Sequence, residues 1–190
     1  MTTVDSIIEA ALEHAEAGVD AEQPDPADGD PFGPPRVAVV GCGAPGAAHV
    51  ERGVAAHGVL TGSSRRCETT TVAVGPDRQS IDTRSLDQAL VCPPTTGPLS
   101  REEPSSADAD WRRLRERTRD VELHLVTGTL DTPDAARLLA RVVDVVAAGD
   151  APTVVVPTIS DRSVEPWTER ALRTLRYTAD TLVPIDTARP

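Results

Sequence analysis

The sequence predicts an α/β fold: a doubly wound, mostly parallel sheet with helices on both faces. Three observations lead there. Short runs of Val, Ile and Leu recur along the chain, apolar on both sides as strands buried on both faces are. Between them lie segments whose apolar residues repeat every three or four positions, the mark of amphipathic helices. One run, Arg36-Val37-Ala38-Val39-Val40, breaks into Gly41-Cys42-Gly43-Ala44-Pro45-Gly46 and then into an alanine-rich segment. That is how a buried first strand hands over to a helix N-terminus. Alternating strands and helices, joined by right-handed crossovers, build an open Rossmann-like sheet.

Taken in order, residues 3–18 form an amphipathic helix, with Val4, Ile7, Ile8, Ala11, Leu12 and Ala15 at helical spacing and acids between them. Residues 20–35 are rich in Asp, Pro and Gly and read as an exposed linker. The helix of residues 1–19 is therefore an appendage, docked on the domain or offered to a partner, and the domain proper is residues 36–190. Within it the pattern gives a strand over 37–40, a helix over 44–57, a strand over 69–74 and a short strand over 86–91. Residues 93–106 are loop by composition, and 108–119 form a heavily charged helix. A strand over 121–126, a helix over 133–148, a strand over 153–156, a helix over 165–177 and a last strand over 181–185 complete the domain. No internal repeat is present.

At 190 residues the chain is long enough to bury a sizeable core. It carries 30 acidic residues against 19 basic ones, for a net charge of −11, and every basic residue is Arg. A phosphate loop of the Walker type needs its Lys, so that class is excluded. The acidity makes nucleic acid and anionic membranes poor partners. Cys42, Cys67 and Cys92 are widely spaced, with no C-x-x-C pair, and read as reduced intracellular thiols. With no membrane-length apolar run and no signal-peptide pattern, the expected location is the cytoplasm.

The run Val39-Val40-Gly41-Cys42-Gly43-x-x-Gly46 resembles the first phosphate loop of archaeal FtsZ, a relative of tubulin. Val4-Asp5-Ser6-Ile7-Ile8-Glu9 resembles the N-terminal extension of those proteins, and residues 121–127 resemble the strand that leads into the family's signature loop. Ala171-Leu172-Arg173-Thr174-Leu175-Arg176, followed by Ala179-Asp180-Thr181-Leu182-Val183, resembles a later helix–strand pair. With an acidic, lysine-free composition of the kind associated with salt-loving archaea, the chain resembles a divergent, truncated haloarchaeal member. It corresponds to the GTP-binding domain, with the C-terminal domain absent. The resemblance implies GTP or GDP held at Gly41, Cys42, Gly43 and Gly46, and FtsZ- or CetZ-type filaments, or copies of itself, as partners.

The departures from the family pattern shape the functional expectation. Where the family has a glycine-rich phosphate-wrapping run, this chain has Asp131-Thr132-Pro133-Asp134-Ala135-Ala136-Arg137. Thr132 is a good N-cap, Pro133 suits the first helical position and Asp134 the first turn, so the helix caps itself. A carboxylate about 4 Å from a phosphate would repel it by roughly 4 kcal/mol at intermediate dielectric. Pro45 has no N–H to give, Ala48 stands where the family has Asn, and Thr187 falls where a guanine-reading Asn sits. The family's central helix and water-activating loop have no counterpart. The expectation is a non-hydrolysing pseudo-GTPase with no catalytic residues and no metal, acting by protein–protein contact in cell division or cell shape. One alternative retains weak GTP binding. Another is an NAD(P)-binding oxidoreductase, with Asp77 as the ribose-binding acid although it lies about 30 residues on rather than the usual ~20. A third is that the glycines only make a tight strand-to-helix turn.

The remaining candidates carry less. His49 and His57 sit in the first helix and read as surface or packing residues, while His124 alternates with apolar neighbours and reads as a satisfied core histidine. Ser63 and Ser64 lack a nucleophile-elbow motif. The Arg-rich stretch 112–119 reads as a solvated, salt-bridged face. Trp111 and Trp167 are expected half-exposed, as interface residues.

Overall fold

Parallel strands in the order β3-β2-β1-β4-β5-β6 make up the sheet, with β7 also paired to β5. The strands are β1 (Arg36–Cys42), β2 (Glu68–Gly75), β3 (Gln88–Val91), β4 (Leu123–Thr129), β5 (Thr153–Ile159), β6 (Thr181–Leu182) and β7 (Ile185–Asp186). The helices are α1 (Gly43–His57), α2 (Ser106–Arg117), α3 (Pro133–Val146) and α4 (Pro166–Thr178). The computed structural model describes residues 34–57, 67–79, 81, 86–92, 106–160 and 165–187. The expected helix at 3–18, the linker up to residue 33, and Ser63 and Ser64 lie outside these residues. The expected α/β class is observed, and every strand pair is parallel among the described residues.

Chain direction dictates which helix covers which face. The chain steps outward from β1 to β2 and β3, crosses back to β4, and then steps the other way to β5 and β6. With right-handed crossovers, the outward step puts α1 on one face and the return steps put α2, α3 and α4 on the other. The side chains agree. Val40, Cys42, Val72, Val74, Val126 and Val155 pack in one cluster with Trp111 and Leu114 of α2, Leu139, Val142 and Val143 of α3, and Leu175 of α4. Val37, Val39, Leu125, Val156 and Ile185 pack on the opposite side with Val50 and Val54 of α1. β1, β4 and β5 thus contribute apolar residues to both faces, as strands covered on both sides do.

Two expectations need correction. Trp111 is 1% exposed and sits at the centre of the three-helix side, not half-exposed at an interface. On α2 it falls in a stripe with Leu114 and Thr118, the i, i+3, i+7 face, and every Arg from 112 to 119 points to solvent, as expected. Trp167 is partly buried against the same cluster. The last strand is also broken in two. Thr181 and Leu182 pair with Val154 and Val155, and Ile185 and Asp186 pair with Thr158 and Ile159, with Val183 and Pro184 between them. Pro184 has no N–H to give the ladder, while the Val183 N–H still reaches the Val155 carbonyl at 2.9 Å.

His124 is a core residue with both ring nitrogens engaged. Nε2 lies 2.8 Å from the Thr118 carbonyl and Nδ1 3.2 Å from Thr153 Oγ1. A carbonyl only accepts, so Nε2 carries the proton and Nδ1 accepts from the threonine. The ring ties the turn after α2 to the starts of β4 and β5. Substituting His124→Ala removes a fully buried ring and orphans the Thr118 carbonyl. The expected cost is roughly 3–5 kcal/mol, read as a lower urea midpoint with an unchanged m-value.

Candidate functional site

The direction of chain travel reverses between β1 and β4. In open α/β sheets the crevice beyond the carboxyl ends of two such strands is where ligands sit. Here those ends are Cys42 and Thr129, and they carry the two stretches that the sequence singles out: the glycine turn into α1 and the Asp131–Asp134 turn into α3.

The glycine turn is built by close backbone approach. β1 ends at Cys42 and α1 begins at Gly43, with no residue between. Gly43 has φ +67°, a conformation L side chains rarely adopt. A Cβ on Gly41 would lie 2.6 Å from the Gly46 carbonyl oxygen, and one on Gly46 would lie 2.7 Å from the Thr127 carbonyl oxygen. The first turn of α1 therefore rests directly on the backbones of β1 and β4. Cys42 differs from its neighbours. Its side chain turns into the three-helix core and lies 2.9 Å from where a Gly128 Cβ would be. Burial, and then the nearby Cys92 thiol, push its pKa far up. Only the backbone of Cys42 borders the crevice. Cys92 is itself pushed up to about 12, by burial and then by Asp110. The α1 end carries no acid in its first turn, and Pro45 and Ala44 are exposed there. Pro45 removes one of the N–H groups that an anion would use.

The α3 end is closed by its own residues. Thr132 has extended backbone angles and its Oγ1 accepts the Ala135 N–H at 3.2 Å. Its carbonyl accepts the Ala136 N–H at 2.9 Å, and Pro133 has no N–H. Of the first four helical positions only Asp134 keeps a backbone donor without one of these bonds, and its own carboxylate stands beside it, paired with Arg137 at 3.2 Å. The self-capped end that the sequence predicts is observed.

Asp131 ties this turn to the next strand. Its Oδ1 accepts the Ser160 N–H at 2.8 Å beyond the end of β5, and its own N–H donates to Thr129 Oγ1 at 3.2 Å. Partial burial pushes its pKa up, but the hydrogen bonds from Ser160 and Thr129 outweigh that and hold it below its ordinary value. The carboxylate is thus held ionised just beyond the end of β4, bonded toward the end of β5. Threonines on adjoining elements stitch the same region. Thr127 Oγ1 donates to the Val156 carbonyl at 3.1 Å, Thr158 Oγ1 to Gly128 at 3.3 Å, and Thr168 Oγ1 to Leu130 at 3.3 Å. Sequence reasoning missed Thr127, Thr129, Thr158, Ser160 and Thr168. Their one signal is the recurrence of Thr at the carboxyl ends of β4 and β5.

Other candidates fall around the crevice or away from it. Thr187 is exposed, but its N–H and hydroxyl both donate to the Ile159 carbonyl, at 2.9 and 3.2 Å. Ala48 and His49 are half-buried in α1, and His57 ends that helix, its side chain outside the described residues. Asp77 is exposed just beyond the end of β2, on the same edge of the sheet as the glycine turn. No group of three or more His, Cys, Asp or Glu residues suited to a metal exists among the described residues. A cleft of about 610 Å³ lies at the opposite edge of the sheet, between the ends of α2 and α3, lined by Arg119, Asp120 and Asp150 among others. No helix among the described residues is long and apolar enough to cross a membrane.

The fold as a whole superposes on solved structures. A tryptophan-to-tyrosine mutant of FtsZ from M. jannaschii superposes with a TM-score of 0.61 at 20% identity, covering 94% of this chain and 50% of that one. The fold is that of FtsZ. An FtsZ dimer from M. jannaschii, described as empty, gives 0.58 at 17% identity over 93% of this chain and 49% of that one. This chain spans about half the length of those FtsZ chains. No family model matches it, and no curated protein matches its sequence. The likeness to FtsZ is a likeness of fold.

Two outcomes are expected at this crevice. Gly46→Ala must push a Cβ into the Thr127 carbonyl and is expected to cost about 1–3 kcal/mol in urea unfolding. Gly149→Ala, whose Cβ would meet nothing closer than 3.6 Å, serves as the neutral control. The lowered pKa of Asp131 contributes stability that is complete above its ordinary value of 3.8 and fades as pH falls through its lower folded value. Asp131→Asn is therefore expected to be less stable than the parent at pH 7, and urea midpoints of the two should converge in acid.

Proposed function

We propose that this chain is a pseudo-GTPase of the FtsZ/tubulin type, a domain that hydrolyses nothing and works by protein–protein contact. Its partners on this reading are FtsZ- or CetZ-type filaments in a salt-rich archaeal cytoplasm, in division or cell shape. The observation that carries it is the closed N-terminus of α3. Phosphate binding at a helix end needs free backbone N–H groups and no competing negative charge. At this end Thr132 occupies one N–H, Pro133 lacks one, and Asp131 and Asp134 supply two carboxylates. Pro45 subtracts from the facing end of α1 as well. On this reading the contact is made through one face, which would cap a filament instead of extending it.

A second reading, weak retained GTP or GDP binding, is favoured by the intact backbone of Gly41, Gly43 and Gly46 and by the acid-free first turn of α1. Asp77 near the end of β2 is what an NAD(P) reading would use. One set of measurements separates them: calorimetric titration with GTP, GDP and NADH in high salt, and co-sedimentation with FtsZ filaments. The pseudo-GTPase reading expects no binding tighter than millimolar, pelleting with filaments, and shorter filaments. Stoichiometric GTP binding would replace it with the second reading, and NADH binding would move the protein to the oxidoreductases. Filaments unchanged in length, with no protein in the pellet, would remove the capping role.

A further inference from the structure

Helix α4 turns Thr168, Ala171 and Leu175 into the core and leaves Glu169, Arg170, Arg173, Thr174, Arg176 and Tyr177 on its outer side. Arg170, Arg173 and Tyr177 fall at i, i+3 and i+7, so they share one stripe roughly 10 Å long, with Arg176 on its flank. This face departs from the rest of the chain in two ways. The chain holds 30 acidic residues against 19 basic ones, yet α4 sets three arginines against the single acid Glu169. The one tyrosine of the sequence is also here, 86% exposed, whereas Trp111 is buried and Trp167 partly so. The arginines are not held by neighbours. On α2 and α3, Arg113 pairs with Asp110, Arg137 with Asp134 and Arg141 with Asp144. Arg170, Arg173 and Arg176 make no ion pair among the described residues, although Glu169 lies one turn before Arg173. Asp180, just past the helix, is engaged elsewhere, accepting the Thr153 N–H at 2.8 Å. Arg176 is in the last turn, where a cation suits the helix dipole, but Arg170 and Arg173 lie too far from that end to gain from it.

We propose that the outer face of α4 binds an acidic segment of another protein, with its carboxylates on Arg170 and Arg173 and an apolar side chain beside them on Tyr177. The guanidinium fork suits a carboxylate, and an exposed tyrosine offers a rigid ring at little entropic cost, so these are the residue types that carry binding energy at interfaces. Charge complementarity selects the occupant. Two copies of α4 meeting face to face would set arginine against arginine, which disfavours a twofold pairing of this chain. A nucleic-acid duplex carries a phosphate about every 1.7 Å and would run past the stripe onto a surface that repels it. A protein segment with a few carboxylates ends where the stripe ends. Charges further than about 8 Å away are screened at physiological salt, so the net −11 of the chain does not cancel the patch at contact. The assignment holds whether or not the crevice takes a nucleotide.

The test uses the full chain and a fluorescein-labelled peptide in which glutamates alternate with leucines, followed by anisotropy at low salt. Saturable binding is expected, weakened about tenfold by Arg170→Glu with Arg173→Glu and several-fold by Tyr177→Ala. Arg113→Glu with Arg115→Glu makes the same change of net charge on α2 and is expected to bind as the parent does. All five positions are exposed, so thermal melts should show each variant folded. No saturable binding, or equal losses in the two double variants, would overturn the assignment. Tighter binding of a single-stranded oligothymidine of the same length, lost in the α4 double variant, would overturn it in favour of nucleic acid. A concentration-dependent dimer in sedimentation that the α4 double variant abolishes would overturn it in favour of a second copy.

Discussion

The contact on which the rest of the molecule depends is a touching of backbones. Gly46 lets the first turn of α1 lie on the Thr127 carbonyl, and Gly41 lets β1 lie under Gly46. Any side chain at either position would lift the helix from the sheet. That single approach fixes where α1 begins, how close it sits to β1 and β4, and how narrow the crevice is between their ends. Glycines at such a junction therefore do structural work whether or not a ligand is present. The same geometry is needed by a nucleotide loop and by a bare strand-to-helix turn, so the glycines alone do not separate the two.

What separates them is the partner turn. In α3 the backbone donors that could meet a phosphate, that of Asp134 aside, are spent on Thr132 or absent at Pro133, and Asp131 is held ionised by Ser160 and Thr129. The Thr–carbonyl bonds of Thr127, Thr158 and Thr168 then lock the ends of β4, β5 and the start of α4 together. They brace the β4 side of the crevice against β5 and α4. The polar groups at this edge satisfy one another, which favours a fixed surface over an adaptable pocket.

Much of this was legible in the chain, for identifiable reasons. Strands buried on both faces announce themselves by unbroken Val and Leu, so β1, β4 and β5 stand out. The start of α3 is written locally, because Thr132, Pro133 and Asp134 act on backbone groups within one turn. Less legible were features that depend on distant residues. The burial of Trp111 follows from α2 crossing to the three-helix side, and α2 on its own is dominated by Arg and acidic residues. The Asp131–Ser160 bond joins two strand ends that only the sheet order brings together. The break at Pro184 was in plain view, but it reads as a strand interruption only once β5 is known to be the partner.

β1 occupies the middle of the sheet and is bonded on both sides, to β2 and to β4. Among the described strands it alone joins the early part of the chain, which runs to β3, to the later part, which runs to β7. Neither part can form a continuous ladder with the other without it. Opening of the sheet is then graded by position: the short outer strands β3, β6 and β7 can detach singly, whereas release of β1 separates the molecule into two halves. Amide exchange should follow that order, slowest at Val39 and Val40 and their neighbours in β4 and fastest at the rims. In this fold the residues that exchange last are also those that carry the crevice, so its shape persists for as long as the sheet does.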